Sequence, residues 1–160
     1  MAASGGDLQR LDPRVQVLWV VRAVVVALVL GALVTIAERA VLGTAVWLGP
    51  STALVVGALG VAFAVLRYRS WGYRLRTDAL YLERGVLTRV QTIVPYVRVQ
   101  HVDTREGPVE RLAGLATVVV YTAGSRGADV SVPGLVASRA TDLRERLERL
   151  TTAAESEDAV

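Results

Sequence analysis

The chain has 160 residues and a net charge of +3, and 52% of its residues are hydrophobic although only one is Phe. That length allows one modest soluble domain, or a smaller one plus membrane segments; the Val-, Leu- and Ala-rich N-terminal part favours the second. The absence of cysteine excludes disulfides, thiolate metal sites and cysteine nucleophiles, and so mild a charge does not point to nucleic acid.

Two apolar runs come first. Val15–Ala37 (VQVLWVVRAVVVALVLGALVTIA) and Val46–Leu66 (VWLGPSTALVVGALGVAFAVL) each approach the roughly 20 residues that a helix needs to cross a bilayer. The polar segment before the first run has no signal-peptide cleavage site, so the run reads as a retained anchor. Only ERAVLGTA separates the two, which predicts a tight antiparallel hairpin. Arg10 and Arg14 precede the first span, and Arg67, Arg69, Arg74 and Arg76 follow the second. The connecting loop has only Arg39, beside Glu38. The positive-inside rule then places both termini in the cytoplasm and the loop outside. Trp19, Trp47, Tyr68 and Trp71 fall near the expected boundaries.

Arg22 is the one charge within a span. It reads either as an ion-pathway or partner-binding charge, or as a side chain snorkelling to the headgroups. Snorkelling is favoured, since the spans offer no acid to pair with it. Ala23, Ala27, Gly31 and Thr35 recur at fourfold spacing on the first helix. Ala53 with Gly57, and Gly60 with Ala64, do so on the second. Such faces let helix backbones approach closely in lipid; they support hairpin packing and leave a homo-oligomer open.

From Ser70 the period changes to two. Trp71, Tyr73 and Leu75 alternate with polar or small residues, as in a half-buried strand. A turn at Thr77-Asp78 leads to ALYLERG, with Leu80 and Leu82 on one face and Gly85 at its end. RVQTIVPY and VRVQHVD read as two further strands, interrupted at Pro95. GPVERLAGL reads as a helical turn closed by Gly114. ATVVVYTAG and DVSVPGL then pair across an SRGA turn. The last element is helical: Ser138 can cap it, and Leu143, Leu147 and Leu150 form an apolar stripe. Asp142 with Arg146, and Glu145 with Arg149, add i, i+4 pairs. The chain thus divides into an N-terminal tail (1–14), two spans (15–37 and 46–66) around an external loop (38–45), a cytosolic β domain with a C-terminal helix (67–152), and a disordered acidic tail (153–160).

The cytosolic part resembles the bacterial pleckstrin-homology (PH) domain of YdbS-like membrane proteins. The resemblance runs through Trp71-Gly72-Tyr73, Gly85-Val86-Leu87, Val94-Pro95-Tyr96, Arg98-Val99-Gln100, Gly107-Pro108, Arg111, Gly114-Leu115 and Thr122-Ala123-Gly124. With the two spans it covers nearly the whole chain. It implies a membrane helical hairpin followed by a PH-like curved antiparallel sandwich or barrel, capped by a C-terminal helix at the inner face of the bacterial cell membrane. It also implies a possible protein partner, a longer membrane protein carrying several such domains.

The stretch IVPYVRVQHVD, Ile93 to Asp103, carries the chain's only histidine within a strand-like alternation. The alternation turns Val97 and Val99 to the core and Arg98 and Gln100 outward. Carried on, it would turn His101 inward and Val102 outward, so a bulge near Gln100–His101 is expected to reset the register. Arg98 and Gln100 match the family motif and are candidates for an interaction surface. A structural job, such as satisfying backbone groups of GPVERLAG, is favoured over it. One His without Cys or clustered acids makes a metal site improbable, and no cofactor is expected. The sequence has no GxxxxGK[ST], GxSxG, HExxH or GxGxxG motif, so the expectation is a non-enzyme. Two functions remain: a membrane-anchored protein-interaction scaffold, or a lipid sensor in which Arg67, Arg69, Arg74 and Arg76 contact anionic headgroups. The scaffold ranks first, because the dense basic loop of phosphoinositide-binding PH domains is missing.

Overall fold

The computed structural model describes residues 8–43, 47–123 and 129–158. These form two compact units, one comprising residues 16–69 and the other residues up to Val15 together with those from Ser70 onward.

The first unit is the helical hairpin. Helix α1 runs Pro13–Leu42 and α2 runs Leu48–Ser70, so α1 extends five residues past the sequence estimate. Asp12 starts it, with Oδ1 accepting from the Arg14 N–H at 2.9 Å, and Pro13 occupies the first helical position, where its missing N–H costs nothing. Gly43, with φ of +63°, ends it; its N–H donates to the Arg39 carbonyl at 3.2 Å. Residues 44–46 of the connecting loop lie outside the described residues. Both helices are long and apolar enough to cross a membrane. Their large side chains point away from the protein: Leu28 is 61%, Leu54 74% and Leu59 67% exposed. A bilayer covers such a surface without cost.

The small residues face one another. A Cβ added to Gly31 would lie 2.6 Å from the Ala53 Cβ, and one on Gly60 3.0 Å from the Ala23 Cβ. Gly49 abuts Thr35 and Gly57 faces Ala27 in the same antiparallel register. The repeated Ala/Gly pattern is thus used within the hairpin itself.

The second unit is a β sandwich. Strands β1 (Gly72–Leu75), β2 (Ala79–Arg84) and β3 (Val90–Pro95) form one antiparallel sheet. Strands β4 (Val99–Arg105), β5 (Leu115–Thr122) and β6 (Val130–Val136) form the other. A short 3-10 turn, Tyr96–Arg98, carries the chain between them. Among the described residues no ladder joins the sheets, so the domain is an open sandwich and not a closed barrel. Helix α3 (Pro108–Leu112) connects β4 to β5. Its first turn is closed by Glu110, whose Oε2 accepts from the Gly107 N–H at 2.9 Å while Oε1 accepts from the Thr117 hydroxyl at 3.0 Å. Gly114, at φ +68°, makes the following turn. The SRGA segment expected between β5 and β6 lies outside the described residues.

Helix α4 (Ala137–Asp158) packs over the 3-10 turn, β4 and β5. Ala140, Leu143 and Leu147 are buried and Leu150 is half-buried; Leu80 and Leu82 of one sheet and Leu115, Val118 and Leu135 of the other are fully buried as well. The helix begins before Ser138, which therefore lies in its first turn and not at the cap; the Ala137 N–H donates instead to the Gly114 carbonyl at 3.2 Å. At the other end it runs on through the acidic segment, where Ala153 and Ala154 are strong helix formers. The Glu145–Arg149 pair forms at 3.8 Å, as does Arg144–Glu148.

Residues 8–15 are built into this sandwich. The Gln9 N–H donates to the Tyr73 carbonyl at 2.8 Å and the Tyr73 N–H returns a bond to Gln9 at 3.0 Å, which adds a bridge to the outer edge of β1. Three residues on, the Asp12 N–H donates to the Gly134 carbonyl of β6 at 2.9 Å. Leu11 and Val15 are buried at 2% and 3% exposure. A Cβ on Gly134 would strike Val15 at 2.5 Å, so glycine makes room for this contact as well as supplying φ +64°. Arg14 reaches the Ala113 carbonyl with Nη1 at 3.4 Å.

Replacing buried Leu143 and Leu147 together by Ala removes the apolar anchor of α4. Each such truncation costs about 2–5 kcal/mol. The full chain in detergent is expected to show a large fall in the melting temperature of its β domain, whereas melting like wild type would show α4 undocked.

Candidate functional site

The Ile93–Asp103 stretch joins the two sheets, and its polar residues occupy three different settings. Pro95, without an N–H, ends the β2–β3 ladder opposite Ala79. The chain then tightens into the 3-10 turn, which breaks the strand alternation. Tyr96 takes the inward position at 1% exposure, and Val97 is turned out at 53%. The expectation that Val97 faces the core is therefore overturned, because a 3-10 turn has a period of three. The Tyr96 hydroxyl donates to the Arg76 carbonyl at 2.9 Å. Burial pushes its pKa up to about 12, with the Arg146 charge opposing and Asp78 assisting. Tyr73 is raised as well, by burial, against the lowering effect of Arg139.

Val99 is buried and pairs with Thr122. The register then shifts between Val99 and His101, so Val102 comes inward at 5% exposure. The bulge sits where the conflicting alternation places it. Arg98, Gln100 and His101 are all exposed. The backbone of GPVERLAG is served by Glu110 and Arg14; Arg98 contributes its own carbonyl to the Ala123 N–H at 2.8 Å. Gln100 and His101 border a shallow depression whose far wall is Glu148, Thr151 and Thr152 of α4. His101 Nε2 lies 2.7 Å from Asp103 Oδ1, and its ring stacks on Tyr121 with centroids 5.7 Å apart. Glu106 turns away to Arg111 at 3.9 Å. Among the described residues no three His, Asp or Glu side chains gather around a metal-sized space.

Strand β3 is the open edge of its sheet. It pairs with β2 alone among the described residues, whereas β1 and β6 are bonded along their outer sides by residues 9 and 12. Val94 turns into the core, but two other apolar side chains of β3 are uncovered: Val90 is 41% and Ile93 58% exposed, and Leu87 on the preceding turn is 94% exposed. Edge, exposed apolar residues and Arg98 follow one another along 11 residues of chain, 87 to 97, and the residue after it. Sequence reasoning missed the edge, since strand order is not written in a single strand's pattern.

The four arginines that follow the second span do not form one patch. Arg67 and Arg69 occupy the last turn of α2 in the hairpin unit, where Arg67 lies 4.3 Å from the centre of the Trp19 ring. Arg74 and Arg76 lie in the sandwich unit, 5.2 and 5.0 Å from the centre of the Tyr81 ring. They cover Tyr81 on the outer face of β2, which explains why that residue is buried although it alternates with Leu80 and Leu82. Arg84 is placed similarly, 6.0 Å from Trp71.

These features have counterparts in known proteins. The bacterial PH domain family matches residues 15–151, from the first span to the last helix. Over 108 residues the chain is 34% identical to the UPF0699 transmembrane protein YdbS of Bacillus subtilis (strain 168). That alignment covers 66% of this chain and 62% of the relative, so the chain spans less than two thirds of the relative's length. No solved structure matches. The apolar hairpin, the pair of three-stranded sheets and the closing helix agree with the match along its whole extent: the chain is a transmembrane protein that belongs to the bacterial PH domain family.

Proposed function

We propose that this protein is a non-enzymatic, membrane-anchored interaction module whose docking surface is the open edge of β3 continued through Arg98 and Gln100. One observation carries the reading: an unpaired strand edge with Ile93 and Val97 more than half exposed. Such an edge invites an added strand from another chain, with backbone bonds giving affinity and alternate side chains giving specificity. Arg98 and Gln100 then supply charge and hydrogen bonding at the end of that strand. The partner is a second membrane protein, and a longer chain with several such domains fits the resemblance. The alternative, a headgroup sensor built from Arg67, Arg69, Arg74 and Arg76, is weaker, because Arg74 and Arg76 are engaged on Tyr81.

The domain faces the cytoplasm of the bacterial inner membrane in this reading. The chain leaves the sandwich unit after Val15 and returns to it at Ser70, so the two spans cross in opposite directions. The Arg-rich ends then select the inner face. A reporter active only outside the membrane, fused after Val160, is expected to stay silent; strong activity would reverse the orientation.

The docking surface is tested by photo-crosslinking in cells. A crosslinker placed at Ile93 or Val97 is expected to give one discrete protein adduct, and one placed at exposed Thr141 none. Arg98→Ala with Gln100→Ala is expected to remove the adduct while the melting temperature stays within about 4 °C, since an exposed substitution usually changes stability by less than ~0.5 kcal/mol. No adduct from either β3 position would refute the reading. An adduct retained by the double variant would remove Arg98 and Gln100 from it.

A further inference from the structure

We infer that the β domain rests on the bilayer that anchors it, with Leu87 on one turn and Val109 and Leu112 of α3 seated among the lipid headgroups. The inference stands independently of the β3 edge. A single exposed leucine needs no explanation. Here Leu87 is 94%, Leu112 90% and Val109 60% exposed, and they lie where the chain passes between the sandwich and its spans. In the first sheet, Gly72 pairs with Glu83. Two residues before Gly72 is Ser70, the last residue of α2; two residues after Glu83 is Gly85, where the turn carrying Leu87 begins. Gly85, at φ +112°, has no room for a Cβ beside the Thr88 carbonyl, so this turn is tight and holds Leu87 at its tip. The opposite turn of the same sheet carries Arg76, Thr77 and Asp78, all exposed. In the second sheet, Arg14, the second residue of α1, donates at 3.4 Å to the carbonyl of Ala113, which directly follows α3.

Helix α3 has the reverse of the polarity that a water-facing helix shows. Its acid, Glu110, is turned to the Gly107 N–H and the Thr117 hydroxyl. Val109 and Leu112, three apart and therefore on one side of the helix, face out. The depth suits lipid. Arg14 immediately precedes the apolar run that opens at Val15. Val17, three residues and about 4.5 Å further along the α1 axis, is already 61% exposed. The headgroup layer on each side of the hydrocarbon core is roughly 5–7 Å thick, so a helix in contact with Arg14 sits at headgroup level. Arg111 and Arg89, beside the two apolar tips, are paired with Glu106 and Glu83; apolar burial therefore drives the contact, and headgroup charge does not. A stable protein interface needs roughly 1,200–2,000 Å² of buried surface, far more than three side chains supply. A bilayer contact needs no such area, because the spans already hold the domain beside the membrane at high effective concentration.

The chain contains no cysteine, so Leu87→Cys, Leu112→Cys and Thr77→Cys variants of the full chain each take one environment-sensitive fluorophore. Thr77, exposed on the opposite turn, is the water-facing reference. Each labelled variant is placed at one copy per phosphatidylcholine nanodisc, where no second protein is present. At positions 87 and 112 the emission is expected to shift to the blue and to lose most of its quenching by iodide. Nitroxides on lipid headgroups or shallow on the acyl chains are expected to quench it instead, since apolar groups at such an interface lie about 5–10 Å into the headgroup/acyl boundary. At position 77 iodide is expected to quench fully and nitroxide lipids hardly at all. Lipid quenching at 87 or 112 no greater than at 77 would overturn the inference. A blue shift there without lipid quenching would overturn it too, by placing the side chain against protein. Lipid quenching that arises only when phosphatidylglycerol replaces phosphatidylcholine would do the same, by making charge the cause of the contact.

Discussion

An open sandwich has outer strand edges that must be satisfied, and in this protein two of them are secured by the same short arm. Gln9 bridges β1 and Asp12 bonds β6, so residues 9–12, just before α1, tie one sheet to the other. Backbone groups left unpaired at a buried edge would cost more than the bonds themselves contribute. The arm also buries Leu11 and Val15, for which Gly134 leaves the space. Much else depends on this contact. Asp12 both donates to β6 and starts α1, whose first residues up to Val15 belong to the sandwich unit.

The same arrangement explains where a partner can act. The arm occupies the edges of β1 and β6, and α4 packs over β4 and β5. Among the described residues β3 and β4 keep one unpaired edge each; α4 lies against β4, while β3 ends its sheet in exposed Val90 and Ile93 and the chain continues into a 3-10 turn with Val97 and Arg98 outward. Buried polar chemistry in the same stretch serves the fold: Tyr96 is fixed by its bond to the Arg76 carbonyl and its burial. One segment thus divides its work between core and surface, residue by residue.

The hairpin and most strands were legible in the sequence because their signals are local. Apolar length gave the two helices, fourfold Ala/Gly spacing gave the face along which they meet, the twofold period gave β1 and β2, and the apolar run ATVVVYT gave β5. Even the bulge at Val99–His101 was legible, from the conflict between a continuing alternation and a valine at position 102. The arm was not. LQRLDPRV, residues 8–15, has no period to read, and its structure comes from backbone bonds to strands sixty and more residues away. Asp12-Pro13 was a signal, since an acidic cap followed by proline marks a helix start, but it indicates only where α1 begins. Val97 was misplaced because a 3-10 turn interrupts the strand that Pro95 already weakens. The functional surface was the least legible part. Arg98 and Gln100 could be singled out from a family resemblance, but the open edge beside them is a property of strand order.

The claim that the arm belongs to the sandwich is open to direct measurement by amide hydrogen exchange on the full chain in detergent. The amides of Gln9, Tyr73 and Asp12 are each bonded across the two sheets' edges, and they are expected to exchange together, slowed to the range of the neighbouring strand amides of β1 and β6. Exchange of Gln9 and Asp12 at the rate of an unstructured peptide, with β1 and β6 still protected, would contradict the account and leave the two sheets without the tie proposed for them.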